Sequence, residues 1–135
     1  FPFGILRADG EVLVRIPVAL DDNGGIICVG EIPPNSVLAL LDARAASTQA
    51  AAVLAQGLSD MCGSQQGKEL LLFYCAGRRM HMGEGMAAEL EAIARHTAAR
   101  HVLGALSLGE IGGSRAGGYP LFHNATLVGV PWQNC

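Results

Sequence analysis

The feature that most constrains the fold is an apolar run that ends in a glycine and two cations. Residues 70–75 contain no charged side chain and are followed, one residue later, by Gly77, Arg78 and Arg79. Apolar side chains on both faces are typical of a strand buried inside a sheet. Because the exit of such a strand exposes amides and side chains on a rigid base, we expect a binding or reactive site between Cys75 and Arg79. A core strand that leaves through a glycine turn, with two solvated arginines, remains the alternative.

Length and composition indicate a single apolar domain, 1–135. The 135 residues are 50% hydrophobic and 16% charged, with a formal net charge of −3, and the mean hydropathy is +0.34. One core is expected at this length. An acidic chain lacks the basic surface that nucleic acids require, and no apolar run reaches the roughly 20 residues of a membrane helix. We therefore expect neither a nucleic-acid nor a membrane partner, and the missing initiator methionine suggests a fragment of a longer chain.

The cysteines and histidines show no metal-binding or disulfide pattern. Cys28, Cys62, Cys75 and Cys135 are scattered without a C-x-x-C pair, which is typical of reduced thiols in a cytoplasmic protein. The four histidines lack the spacing of a zinc site. We expect no metal and no cofactor.

Periodicity and turn signals predict an α+β fold. The predicted strands are 11–18, 26–29, 36–41, 70–75, 102–109 and 125–130, and the predicted helices lie at 47–61 and 86–97. In the first strand, Val12, Val14 and Ile16 lie on one side, whereas Glu11, Leu13 and Arg15 lie on the other. The second helix places Glu89 away from its apolar face.

The order β-β-β-α-β-α-β-β favours a mostly antiparallel sheet of about six strands with two helices packed on one face. Two helices cover only one face of such a sheet. Since the composition is apolar, we expect a missing domain or a second copy to cover the other face.

Polar residues at predicted strand ends form a candidate ligand site. Glu110 ends one strand, His123 begins the returning segment, and the glycine-rich stretch 112–118 between them is expected to roof the pocket. Arg78 or Arg79 together with Glu110 would offer both signs of charge, which an amino acid requires. A plain salt bridge between these residues is the open alternative. The full candidate ligand-binding set is Cys75, Gly77, Arg78, Arg79, Glu110, His123, Asn124 and Thr126.

Two further kinds of chemistry, and a purely structural protein-interaction domain without a ligand, compete with ligand binding. Cys75 could act as a nucleophile activated by His123 or His81, with the following amides stabilising an oxyanion. A thiol at the end of an apolar strand is more often a small core residue. A metal site built from Glu84, Glu110 and histidines has no supporting spacing.

Several short motifs, in a consistent order along nearly the whole chain, resemble the C-terminal half of FIST domains, which are named for F-box and intracellular signal transduction proteins. These motifs are Pro2–Ile5, Val14–Pro17 with its following Gly-Gly hairpin, Phe73–Arg78, Gly109–Ile111 and His123–Thr126. The segment 106–108 departs from the aromatic-rich run that is more typical there.

The resemblance implies a non-catalytic sensory domain that binds small molecules such as amino acids. It implies as partners a small ligand, a preceding N-terminal FIST half and a downstream signalling protein. This N-terminal half or, as the composition suggests, a homodimer partner would cover the open sheet face. The family-like positions are Cys75, Gly77, Arg78, Gly109, Glu110, His123, Asn124 and Thr126.

Overall fold

The computed structural model describes residues 2–42, 47–113 and 119–132, and shows an α+β fold. The elements in chain order are β1 (Phe3–Leu6), β2 (Val12–Leu20), β3 (Ile26–Val29), β4 (Leu38–Leu40), α1 (Ser47–Cys62), β5 (Glu69–Cys75), α2 (Ala76–Met82), α3 (Gly85–Thr97), β6 (His101–Ser107), β7 (Glu110–Gly112), β8 (Leu121–His123) and β9 (Leu127–Pro131).

The first sheet is antiparallel, with the strand order β3-β2-β1-β4. The predicted hairpin between β2 and β3 is confirmed. Its turn is closed by the Asp21 carboxylate, which accepts hydrogen bonds from the amides of Asn23 and Gly25. The alternation in β2 buries Leu13 and Arg15, whereas Val12 is exposed. The side that carries an arginine therefore faces inward, which places a cation inside the protein.

The second sheet has the order β6-β5-β9, so the predicted central strand β5 lies in the middle. β5 and β6 are parallel, and the α2–α3 segment provides the crossover that parallel strands need. Side chains on one face of β5 pack with α1 and α3. This core consists of Ala51, Leu58, Leu70, Leu72, Tyr74, Ala92 and Ile93.

The α+β class is confirmed, but its details differ from the prediction. Instead of one sheet of about six strands, the described residues form three sheets, the third being the β7–β8 ribbon. Three helices are described instead of two, because residues 76–82, expected as an irregular exit, form α2. Glu89 is completely buried, contrary to the prediction, because α2 supplies an arginine partner for it.

Two other expectations have structural outcomes. Cys62 is disulfide-bonded, so the prediction that all four cysteines are reduced is wrong at this position. Cys28 and Cys75 carry free thiols. No helix in the described parts of the chain is both long and apolar enough to cross a membrane. A cytoplasmic location stays a prediction.

Candidate functional site

The carboxyl end of β5 is where most of the predicted site residues meet. Cys75 is in register with Ser107 of β6. The Ser107 hydroxyl donates a 2.6 Å hydrogen bond to Glu110 Oε1. Glu110 in turn pairs with His123 across the β7–β8 ribbon. Contacts between neighbouring residues therefore connect the end of β5 to both strands of the β7–β8 ribbon.

The segment before β9 is fixed to the end of β5 by its backbone. The Ala125 amide donates to Cys75 Sγ at 3.3 Å, and the Cys75 amide donates to the Thr126 carbonyl at 3.2 Å. Arg78 Nη1 donates to the Ala125 carbonyl at 3.2 Å. Ala125 has a positive φ of 55°, a conformation that non-glycine residues adopt rarely and that functional sites often hold.

Arg78 is held by a buried carboxylate. Its Nε and Nη2 donate to the two oxygens of Glu89, and the Tyr74 hydroxyl donates to the same carboxylate. The hydrogen bonds to Glu89 raise the pKa of Arg78, and burial, followed by the bond to Glu89, raises the pKa of Tyr74. Arg78 forms its salt bridge with Glu89 and not with Glu110, which was its partner in the alternative to ligand binding. All three guanidinium nitrogens already donate to protein acceptors, and a ligand-binding role for Arg78 stays a prediction.

The remaining predicted residues occupy different environments. Arg79 is exposed and donates to the Gly83 carbonyl of its own turn. A Cβ at Gly77 would lie 3.3 Å from Ile16 Cδ1, so this glycine allows the start of α2 to approach β2. The Thr126 hydroxyl donates to the Asn124 carbonyl.

His123 contacts the start of β2 as well as its own ribbon. Its Nε2 lies 3.3 Å from the Gly112 carbonyl oxygen and 3.8 Å from Glu11 Oε1. The predicted roof, 112–118, falls largely outside the described residues, which resume at 119.

Glu110 and Asn124 each carry a buried oxygen without a donor. Glu110 is 2% exposed and Asn124 is 1% exposed. Within the described parts of the chain, neither Glu110 Oε2 nor Asn124 Oδ1 has a hydrogen-bond partner. Buried polar atoms are nearly always hydrogen-bonded. Gln65 Oε1, between α1 and β5, is the third such acceptor in the described chain, so what marks this site is that it holds two of the three.

Arg15 belongs to the same region, although sequence reasoning did not select it. Its Nε donates to the Glu31 carbonyl, and its Nη1 donates to the carbonyls of Val14 and Phe122. The guanidinium lies over the Phe122 ring, 5.8 Å from its centroid. Desolvation lowers the pKa of Arg15. The sequence signal that could have identified Arg15 as an inward-facing residue is its position on the same side of the alternating strand as the apolar Leu13.

The competing chemistries gain no geometric support from the described residues. Within them, no group of three or more His, Cys, Asp and Glu side chains is arranged to hold a metal ion. No hydrogen bond joins Cys75 to His123 there, and the Cys75 thiol instead accepts the Ala125 amide. For the thiol-enzyme alternative, the described structure therefore shows a buried Cys75 that makes no hydrogen bond with His123.

Comparison with known proteins identifies a family. The model of the FIST C domain matches residues 1–113. No curated protein matches the chain, and no solved structure does.

Proposed function

The chain belongs to the FIST C domain family of signal-transduction sensory domains, and we propose that it acts by binding a small molecule that carries an amino group. An amino acid is the ligand class that the family resemblance favours. The family is not a known enzyme family, and the proposal assigns no catalytic role to Cys75.

The observation that carries this proposal is the unpaired Oε2 of Glu110. A buried acceptor without a donor costs about 1–3 kcal/mol, and a carboxylate oxygen is the stronger case because it carries charge. A ligand ammonium group would supply both the hydrogen and the opposite charge. The Ser107 hydroxyl holds the other oxygen of Glu110, so the carboxylate is positioned before any ligand arrives.

A thermal-shift screen over amino acids and their amides tests the proposal. A ligand present at about 100 times its Kd should stabilise the fold by roughly 2.7 kcal/mol. Glu110→Gln keeps the side-chain shape and an acceptor for Ser107 but removes the negative charge. We expect this variant to lose the stabilisation by amines. The matched control is Glu84→Gln, because Glu84 is exposed in the turn between α2 and α3.

Two results would contradict the proposal. One is the absence of stabilisation by any amine in the screen. The other is equal stabilisation of the native chain and of Glu110→Gln, which would place the amino group of the ligand elsewhere.

A further inference from the structure

We propose that Arg15 receives an acidic group of the ligand, and that this group carries a hydrogen-bond donor next to it, as in an α-amino acid. This inference rests on the proposed function and extends it, because it assigns the acid-binding role to a residue on β2 instead of to Arg78.

Arg15 forms no salt bridge with a carboxylate of the described chain, and its burial lowers its pKa more than the nearby charges of Cys28 and Glu31 raise it. Arg15 is 6% exposed, and its hydrogen bonds end on three backbone carbonyls. Among the ion pairs within the described chain, none involves Arg15. Arg78, by contrast, has both oxygens of Glu89. A buried charge costs several kcal/mol unless it is paired, so an incoming anion would gain free energy here that Arg78 does not offer.

Gly30 lies between the side chains of Arg15 and Asn124. The position of a Cβ on Gly30 would lie 2.9 Å from Arg15 Nε and 2.9 Å from Asn124 Oδ1. Gly30 has a φ of +81°, so a side chain there is disfavoured by the backbone as well as by its neighbours. The Arg15 guanidinium and the unpartnered Asn124 oxygen therefore both border the backbone of Gly30, at a position that accepts no side chain.

A single kind of ligand chemistry can satisfy Arg15 and Asn124 at once. Arg15 requires negatively charged oxygen, whereas Asn124 Oδ1 requires a hydrogen-bond donor. A carboxylate whose neighbouring carbon bears an amino or hydroxyl group supplies both within a few bonds. A simple carboxylate satisfies only Arg15, and a simple amine satisfies only Asn124.

Strand β8 connects the subsite formed by Arg15 and Asn124 to Glu110. The Phe122 carbonyl anchors Arg15 Nη1, and the next residue, His123, pairs with Glu110. The Phe122 ring also packs against the backbone at Gly109, where a Cβ would collide with it. Arg15 and Glu110 thus contact neighbouring residues of the short strand β8, which places them in the same region of the protein.

Thermal unfolding in simple anions tests the subsite without knowledge of the physiological ligand. The probes are sodium acetate and sodium glycolate, each compared with sodium chloride at equal ionic strength. For the native chain we expect both carboxylates to raise Tm by about 3 °C or more at saturation. Glycolate should have the larger effect, because its hydroxyl can donate to Asn124.

Substitutions of Asn124 provide the matched pair of variants. Asn124→Asp places a carboxylate beside Arg15 as an internal counter-ion. We expect it to raise Tm in chloride and to abolish the acetate shift. Asn124→Ala adds no charge, so it should keep the acetate shift and lose the preference for glycolate.

Arg15→Met removes the cation and should abolish the Tm shifts in acetate and in glycolate. If this variant does not fold, the acetate shift of Asn124→Asp still tests the inference. The inference is overturned if the native chain shows no carboxylate shift, or if Asn124→Asp retains the full shift. An anion effect at Arg15 without stabilisation by any amine would contradict the proposed function alone. If amines stabilise the Arg15 and Asn124 variants as much as they stabilise the native chain, only the inference is contradicted.

Discussion

The buried Arg15 and the partly buried Arg78 have opposite electrostatic surroundings. Arg78 binds a completely buried carboxylate, whereas Arg15 donates to neutral carbonyls. The sequence selected Arg78 for ligand binding because it follows a glycine after a buried strand. It offered no sign that Glu89, which follows Arg78 by 11 residues on a different helix, would turn inward to pair with it. Such pairing depends on how α2 and α3 meet, which no local pattern encodes.

The ion pair of Arg78 with Glu89 should be important for stability. Glu89→Ala leaves the Arg78 charge without its partner, and breaking a buried pair in this way typically costs about 3–5 kcal/mol. Tyr74→Phe removes one hydrogen bond to a charged group, and should cost about 1.5–3 kcal/mol. Urea denaturation measures both. The control is Glu69→Gln, whose partner Arg100 is largely exposed and whose loss should change stability little. Similar small effects for all three variants would contradict this reading of the buried pair.

At the level of elements, the sequence was most informative where one local signal dominates. The Asp21–Gly25 turn, the apolar strand β5 and the amphipathic helices were predicted because turn residues and periodicity act over short distances. Beyond the β2–β3 hairpin, the pairing of strands was not predicted. The sequence placed a helix between β5 and β6, but the expected sheet was mostly antiparallel, whereas the α2–α3 crossover makes this pair parallel. The same limitation applies to the site. The residues near Glu110 were identified from strand ends, whereas Arg15 is brought to them by the packing of a different sheet.

Gly104 is essential for the close approach of β6 to β5. A Cβ at this position would overlap the carbonyl oxygen of Leu72, with which Gly104 is in register. Gly104→Ala therefore requires backbone displacement in the central sheet, and overpacking of this kind costs about 1–3 kcal/mol.

The matched control for Gly104→Ala is Gly57→Ala in α1. A Cβ at Gly57 meets no atom within 4 Å, so alanine there should stabilise the helix by about 0.5–1 kcal/mol. Chemical denaturation of the two variants should give changes of opposite sign. Stabilisation by Gly104→Ala would show that the β5–β6 spacing adjusts freely.

At the scale of the whole molecule, the central sheet is covered unevenly. α1 and α3 cover one face. On the other face, register aligns Leu103, Leu71 and Val130 in one row and Ala105, Phe73 and Val128 in the next. Leu103, Phe73 and Val130 are exposed. An apolar face of this kind was expected from the composition, whereas its covering by an N-terminal half or a second copy stays a prediction. Exposed apolar patches commonly mark interaction sites.

The chain should bind a hydrophobic dye such as ANS through this face in its folded state. Dye binding normally reports loose packing, so the fold must be shown to be intact by a cooperative unfolding transition. The double variant Leu103→Lys with Val130→Lys should lower the ANS signal and leave stability nearly unchanged, because substitutions at exposed positions are usually within about 0.5 kcal/mol. Val53→Lys is the matched control, since Val53 on α1 is 65% exposed, close to the 63% of Leu103, but lies on a different surface. If Val53→Lys lowers the ANS signal as much as the double variant does, the open sheet face is not the surface that binds the dye.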